Sequence, residues 1–279
     1  MNRKDLRQMC SEILRSDNSS AENYDVLAHG VIEVYRSEDD NFRQHIKDRA
    51  RRVTETTGQE FDADNFDIEM ARAFIADEIG FTGWEELIQA VNDPERREYP
   101  ILFHYAMAAL WRGGFTALEQ TLGGPDVFDD QIIGWYESGY LMAEPETMAE
   151  LFAAACWLGH AKTVEYLLDK GVDPHAGMRT GLSGFHWAAS SGKLEVIGLL
   201  IDRKIPTEVK SMYDSTPLGQ ALWSAINEHT ESHAAIVERL IEGGAHVWPD
   251  TLEWWLKQDV PSIETKDRIA NALRRHNSN

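Results

Sequence analysis

Ala154-Ala155-Cys156-Trp157-Leu158-Gly159 and Trp187-Ala188-Ala189-Ser190-Ser191-Gly192 are two copies of one pattern, a run of small residues closed by glycine. The two glycines lie 33 residues apart. The first copy continues through Thr163-Val164, Leu167-Leu168 and Gly171-Val172-Asp173. The second continues through Val196-Ile197 and Leu200-Ile201, with Lys204 where the first has glycine. A third copy opens with Thr216-Pro217-Leu218-Gly219-Gln220-Ala221-Leu222. It closes with Ile236-Val237, Leu240-Ile241 and Gly244-Ala245-His246-Val247, with about seven extra residues around 227–232. A fixed period of this size marks an array of helix pairs, each too small to bury its apolar face without the next. The alanines let two helices approach closely, and the Leu-Leu and Leu-Ile pairs pack one unit on its neighbour.

Ser183-Gly184-Phe185-His186-Trp187-Ala188-Ala189 and Thr216-Pro217-Leu218 resemble the ankyrin repeat, which has a 33-residue period and a T-P-L-H-x-A core. A fainter upstream copy is Ala109-Leu110-Trp111-Arg112-Gly113, with Ala117-Leu118 and Thr121-Leu122 as its second helix. Its glycine lies 46 residues before Gly159, and the surplus falls in 124–147. The resemblance implies an all-α fold: an ankyrin-repeat solenoid over 97–276 behind an N-terminal helical domain over 1–96. Its four degenerate repeats fall at about 100–147, 148–180, 181–213 and 214–247, with a C-terminal cap over 248–276. Leu252, Trp255, Leu256, Ile263, Ile269 and Leu273 supply the apolar face of that cap. The resemblance also implies that the His186 imidazole bonds turn backbone, a structural role.

Residues 1–96 read as helices from their apolar spacing. Leu6, Met9, Cys10, Ile13 and Leu14 form one stripe; Tyr24, Leu27, Val31 and Val34 or Tyr35 form a second. Ser37, with Asp40 three residues on, is positioned to cap a third that carries Phe42, Ile46, Ala50 and Val53. Phe66, Met70, Phe74, Ile75 and Ile79 form a fourth, stopped by Gly80. Thr82-Gly83-Trp84-Glu85 has capping-box spacing before a helix that buries Trp84, Leu87, Ile88 and Val91. The stretch Ala71 to Leu87, an alanine-arginine helix, a Gly80-Phe81 turn and a tryptophan-bearing helix, is similar to a segment preceding many bacterial ankyrin-repeat proteins. That likeness implies a bacterial origin and assigns no activity. It leaves the N-terminal domain to cap the repeat stack near Tyr99–Phe103.

The chain has 279 residues and a net charge of −20, with 47 acidic against 27 basic side chains. A phosphate-backbone binder needs a cationic surface, so direct nucleic-acid binding is excluded as an expectation. Two cysteines, Cys10 and Cys156, make neither a disulfide framework nor a four-cysteine zinc site, which fits a reducing, cytoplasmic setting. No apolar run follows Arg3 and Lys4, and Leu151 to Leu158 is too short to span a bilayer, so neither export nor membrane insertion is expected.

Catalytic and metal chemistry find no constellation. Asp62-Ala63-Asp64-Asn65 lacks the ligand and glycine an EF-hand loop needs, since Phe66 and Asp67 follow it. His229 and His233 share one helical face without a third ligand or the zincin glutamate, and read as a surface insertion. His160 and His175 read as surface polar positions, and Cys156 as a buried thiol in place of a repeat alanine. Arg49, Arg51 and Arg52, beside Asp48 and Glu55, read as a solvated helix face. No cofactor, metal or enzyme activity is expected.

Interaction chemistry is the stronger reading. In ankyrin repeats the two residues before the glycine point into the concave groove. Here they are Trp111-Arg112, Trp157-Leu158, Ser190-Ser191 and Trp223-Ser224, and Trp187 lies one turn before Ser191. Tryptophan is costly to leave in water and enriched at binding hot spots. The competing reading packs these rings between neighbouring helices. Hairpin tips add Arg179, Thr180 and Leu182, then Met212, Tyr213 and Ser215. The acidic segment 124–147 adds Trp135, Tyr136 and Tyr140, to meet a basic partner or to cover the groove. The expectation is a protein-binding adaptor or scaffold whose partner is another protein, a basic one being compatible with the charge. The alternative is an acidic inhibitor or DNA mimic.

Overall fold

The computed structural model describes residues 2–16, 19–37, 40–57, 66–93, 99–142, 145–175 and 181–277. Among them all regular secondary structure is helical. The chain divides into two compact units, Met1–Gly124 and Pro125–Asn279.

The first unit holds α1 (Arg3–Arg15), α2 (Ala21–Arg36), α3 (Asp40–Thr57), α4 (Ile68–Ile79), α5 (Trp84–Asn92) and α6 (Ile101–Leu122). α4 is its hub, packing against α2, α3, α5 and α6. The alanines Ala71, Ala73 and Ala76 allow that close approach, and Tyr24, Leu27, Ile46, Ile79 and Leu87 fill the core around it. The Asp67 carboxylate accepts from the Met70 amide, 3.0 Å, to start α4, and Gly80 ends it at φ +99°. That left-handed turn is one only glycine adopts cheaply.

Two expected caps are placed differently. The Ser37 hydroxyl donates to the Val34 carbonyl, so Ser37 closes α2 instead of opening α3. Thr82 donates through its amide and hydroxyl to Glu86, at 2.8 and 2.6 Å, where the capping-box spacing pointed to Glu85. Gly83 is the N-cap, so the reciprocal partner falls one residue later. Residues 62–65 and the side chains of Ala50, Val53, Arg49, Arg51 and Arg52 lie outside the described set. The unit boundary lies after Gly124, whereas the sequence reading placed one at 96/97. α6 packs on α4 and α1, kinking at Gly114.

The second unit is a two-layered stack. α8 (Pro145–Leu158), α10 (Gly184–Ser190) and α12 (Pro217–Asn227) pack side by side as a front layer. α7 (Pro125–Glu137), α9 (Ala161–Asp169), α11 (Leu194–Asp202), α13 (His233–Glu242) and α15 (Ile263–Asn277) form a back layer in that order. α14 (Thr251–Leu256) packs on α15 and completes the cap, with Trp255 fully buried and its Nε1 donating to the Lys266 carbonyl, 3.0 Å. The helix stacked on α9 is α7, not 115–122 as the faint upstream copy suggested. Residues 125–137 are therefore a back-layer helix and not a loop over the groove.

The small residues act as the periodicity requires. A Cβ on Gly184 would sit 2.7 Å from the Phe152 ring and 2.8 Å from Cys156 Sγ, so α10 approaches α8 as only glycine permits. The turn after each back-layer helix repeats one hydrogen-bond pattern. Val172, Ile205 and Ala245 donate to the carbonyls of Leu167, Leu200 and Leu240. The residue before each donor has positive φ: Gly171 +82°, Lys204 +59° and Gly244 +92°. Lysine therefore occupies a conformation that two glycines adopt in the sister repeats.

Polar contacts fix the stacking. His186 Nε2 donates to the Ser215 carbonyl at 2.8 Å, and Ser183 Oγ donates to Nδ1 at 2.8 Å, which ties one turn to the next. On the back layer Lys162 pairs with Asp130, Arg203 with Glu165 and Asp169, Arg239 with Asp202, and Arg268 with Glu238. Each of these bases reaches back to an acid on the preceding back-layer helix.

Candidate functional site

The front layer and the loops beyond it enclose a groove of about 1090 Å³. α8 contributes Trp157; α10 contributes Trp187 and Ser190; α12 contributes Leu218, Gln220 and Trp223. The hairpin tip contributes Tyr213, and the cap contributes Trp248 and Trp254. Trp157 and Trp187 meet edge to face, with ring centroids 5.2 Å apart. Both are half-buried, so packing and display coexist in this pair. Trp223, Trp254 and Trp248 are 49%, 44% and 60% exposed, and Tyr213 is more exposed still. These are large apolar surfaces left in water on one side of the unit.

The groove's polar groups divide into satisfied and open ones. Ser190 and Ser224 share a hydrogen bond at 2.9 Å between α10 and α12, with Gln220 Nε2 donating to both hydroxyls at 3.4 Å. Lys210 Nζ donates to the Asp214 carbonyl at 2.9 Å and lies 3.5 Å from its carboxylate. Glu228 and Asp250 also line the groove and form no ion pair among the described residues. His246 sets its ring edge-on to Trp248, centroids 4.5 Å apart.

Of the residues expected to meet a partner, Trp157, Trp187, Trp223 and Tyr213 come together here. Leu158 is half-buried at the end of α8 and is not among the lining residues. Met212 is exposed at the tip, its amide donating to the Gly181 carbonyl at 2.9 Å and its side chain lying over Gly181. Trp135 is corrected to a core residue, 3% exposed, because it faces inward from α7. Tyr136 stands on the back layer, edge-on to Tyr166 at 5.6 Å, with Lys170 over both rings. Trp111 and Arg112 belong to the first unit. There Arg112 bonds the buried Asp77, its Nη2 3.1 Å from Oδ1 and its Nη1 on the backbone carbonyl. Arg179 and Thr180 lie outside the described residues.

Sequence reading missed Trp248 and Trp254 as groove residues. The adjacent pair Trp254-Trp255 carried the signal. Neighbouring helical residues point about 100° apart, so a short helix that buries one ring presents the other.

The histidines are corrected as well. His233 is fully buried: the Thr230 amide donates to Nδ1 at 3.0 Å and Nε2 donates to the Ser190 carbonyl at 3.1 Å. His229 bonds Thr265, so the pair serves the stack and is not a surface insertion. His160 is buried against Phe128, ring centroids 4.0 Å apart, because α7 covers it. His175 is half-buried. Burial pushes the His186 and His233 imidazoles below their usual value of 6.5, outweighing the backbone bonds that favour the charged form. Burial pushes the Cys156 thiol up, and burial followed by the Glu78 charge pushes Cys10 up to about 12. Neither sulfur is an activated thiolate. Among the described residues no cluster of three His, Cys, Asp or Glu side chains is placed to hold a metal, and no helix is long and apolar enough to cross a membrane.

Residues 151–250 match the family described as ankyrin repeats (3 copies). No curated protein matches the chain.

Proposed function

We propose that this chain, whose residues 151–250 match the ankyrin repeats, is a non-enzymatic adaptor or scaffold that holds a partner protein in the aromatic groove. Ankyrin repeats are in general protein–protein interaction modules. The observation that carries the reading is the collection of five tryptophans, Trp157, Trp187, Trp223, Trp248 and Trp254, around one groove, three of them substantially exposed. Exposed apolar patches of this kind mark interaction surfaces, and tryptophan is the residue most enriched at binding hot spots. The wall behind the groove is held by helix packing and the ion pairs of the back layer, so the rings are displayed from a rigid support.

The test is affinity capture from native lysate by the full chain beside a Trp223→Ala, Trp254→Ala double variant. Both rings are exposed, so the variant keeps the wild-type circular dichroism. A partner held by the wild type is expected to be lost or weakened about tenfold or more in the variant. Equal capture by the two would place the contact outside the groove.

A further inference from the structure

We infer that the groove's occupant is a partner segment carrying arginine side chains, whose guanidinium groups stack on the exposed indoles and pair with Glu228 and Asp250. This rests on the reading of the groove as the partner site and goes further by stating the chemistry of what fills it.

The argument is one of complementarity. Three carboxylates line the groove, Asp214, Glu228 and Asp250, against one ammonium, Lys210. Lys210 is engaged by Asp214, so the unbalanced charge belongs to Glu228 and Asp250. Glu228 is oriented by the Ser190 hydroxyl, 3.4 Å away, at the end of the helix that displays Trp223. Asp250 is the N-cap residue of the helix that displays Trp254. Each exposed indole on these helices therefore has a carboxylate in the same element or at its border.

An aromatic face with a carboxylate nearby is the environment that favours a cation, since the ring's negative face and the acid act together. A purely apolar occupant would cover Glu228 and Asp250 without giving them a partner, which carries a desolvation cost. An anionic occupant would be repelled by both acids and by the chain's net charge of −20. Among cations, guanidinium is planar, weakly hydrated and able to pair two-pronged with a carboxylate while stacked; ammonium is compact and strongly hydrated.

The experiment uses the full chain and short capped peptides of repeating Leu-Arg-Gly, Leu-Lys-Gly and Leu-Gln-Gly triplets, with binding read by calorimetry. The Leu-Arg-Gly peptide is expected to bind, the lysine version several-fold weaker, and the glutamine version about tenfold weaker or more. A Glu228→Gln, Asp250→Asn double variant is expected to lower affinity for the arginine peptide and leave the glutamine peptide unchanged. Trp223→Ala lowers affinity for both. Equal binding of arginine and glutamine peptides would overturn the inference while leaving the groove as a peptide site. Equal binding of arginine and lysine peptides would overturn the stacking argument. Arginine-peptide affinity unmoved by the Glu228, Asp250 and Trp223 substitutions would overturn it too, locating the attraction in diffuse surface charge. Absence of binding by every peptide would also overturn it, and the lysate capture then judges the groove reading on its own.

Discussion

The two units solve the same problem of burying apolar surface in opposite ways. Residues 1–124 fold around one hub, α4, and each of its neighbours fills a different place in a single core. Residues 125–279 have no hub; α10 packs between α8 and α12, and each of the three also packs on its own back-layer helix, α9, α11 or α13. The handling of charge follows the same division. The first unit buries a carboxylate, Asp77, and answers it with Arg112. The second joins successive back-layer helices through ion pairs that are at least partly exposed. A closed core concentrates its dependence on a few groups, whereas a stack distributes it over repeating contacts.

The sharpest way to break this contrast is at Asp77. Arg112→Ala leaves a buried carboxylate without its guanidinium and is expected to destabilise the protein by about 3 kcal/mol. Hydrogen exchange read by mass spectrometry should place the loss in α4 and α6. A loss below about 0.5 kcal/mol would mean that the first unit has no such focal point.

A smaller effect should appear on acidification, in the second unit. His186 and His233 have folded-state values lowered below 6.5, so the unfolded chain binds more protons than the folded one as pH falls past that point. Their neutral forms leave stability intact above about pH 6.5, and stability declines below it until the lowered folded values are reached. His233 is the more sensitive by geometry, because Nδ1 accepts from a backbone amide that cannot turn to accept a proton in return. Tm followed from pH 7 to pH 5 should fall, and His233→Asn should flatten that part of the curve. An unchanged slope in the variant would remove His233 from the account.

The smallest effect is a gain. Lys204 holds φ +59° where Gly171 and Gly244 hold similar values in the sister repeats. Lys204→Gly relieves a left-handed strain of about 1 kcal/mol, offset in part by the freedom glycine gains in the unfolded chain. Chemical denaturation should show a midpoint raised slightly with the slope unchanged; a lowered midpoint would show that the lysine side chain matters more than its backbone.

The same contrast governs what could be read from the sequence. The stack was legible because a period carries its own confirmation: Gly159 and Gly192, the paired leucines and Lys204 in the place of Gly171 all predict one another. The groove was half legible. Trp157, Trp187, Trp223 and Tyr213 follow from repeat register, while Trp248 and Trp254 lie in the cap, where register no longer applies. Trp111 and Arg112 were placed by extending the period beyond the stack, and Arg112 instead serves the buried Asp77. The segment that forms α7 breaks the period by its length and so looks like an insertion in the sequence, although its helix lies in the back layer beside α9. His160 and His233 look like surface residues in the sequence because their burial depends on Phe128 and Ser190, which are distant in sequence and close in space. In the first unit the helical stripes came through and their caps only partly, since Thr82 and Glu86 pair at a spacing one residue longer than the motif.

The back-layer pairs have a direction. Each of Lys162, Arg203, Arg239 and Arg268 offers its charge to the helix before it, and α9, α11 and α13 each also supply an acid to the helix after. In repeat register Asp169 stands where Asp202 stands one unit later, so excision of the unit that carries α11 would offer Arg239 an acid at the place of the one it loses. The polarity of these pairs thus gives the back of the stack one repeating rule, a base facing the helix before and an acid facing the helix after.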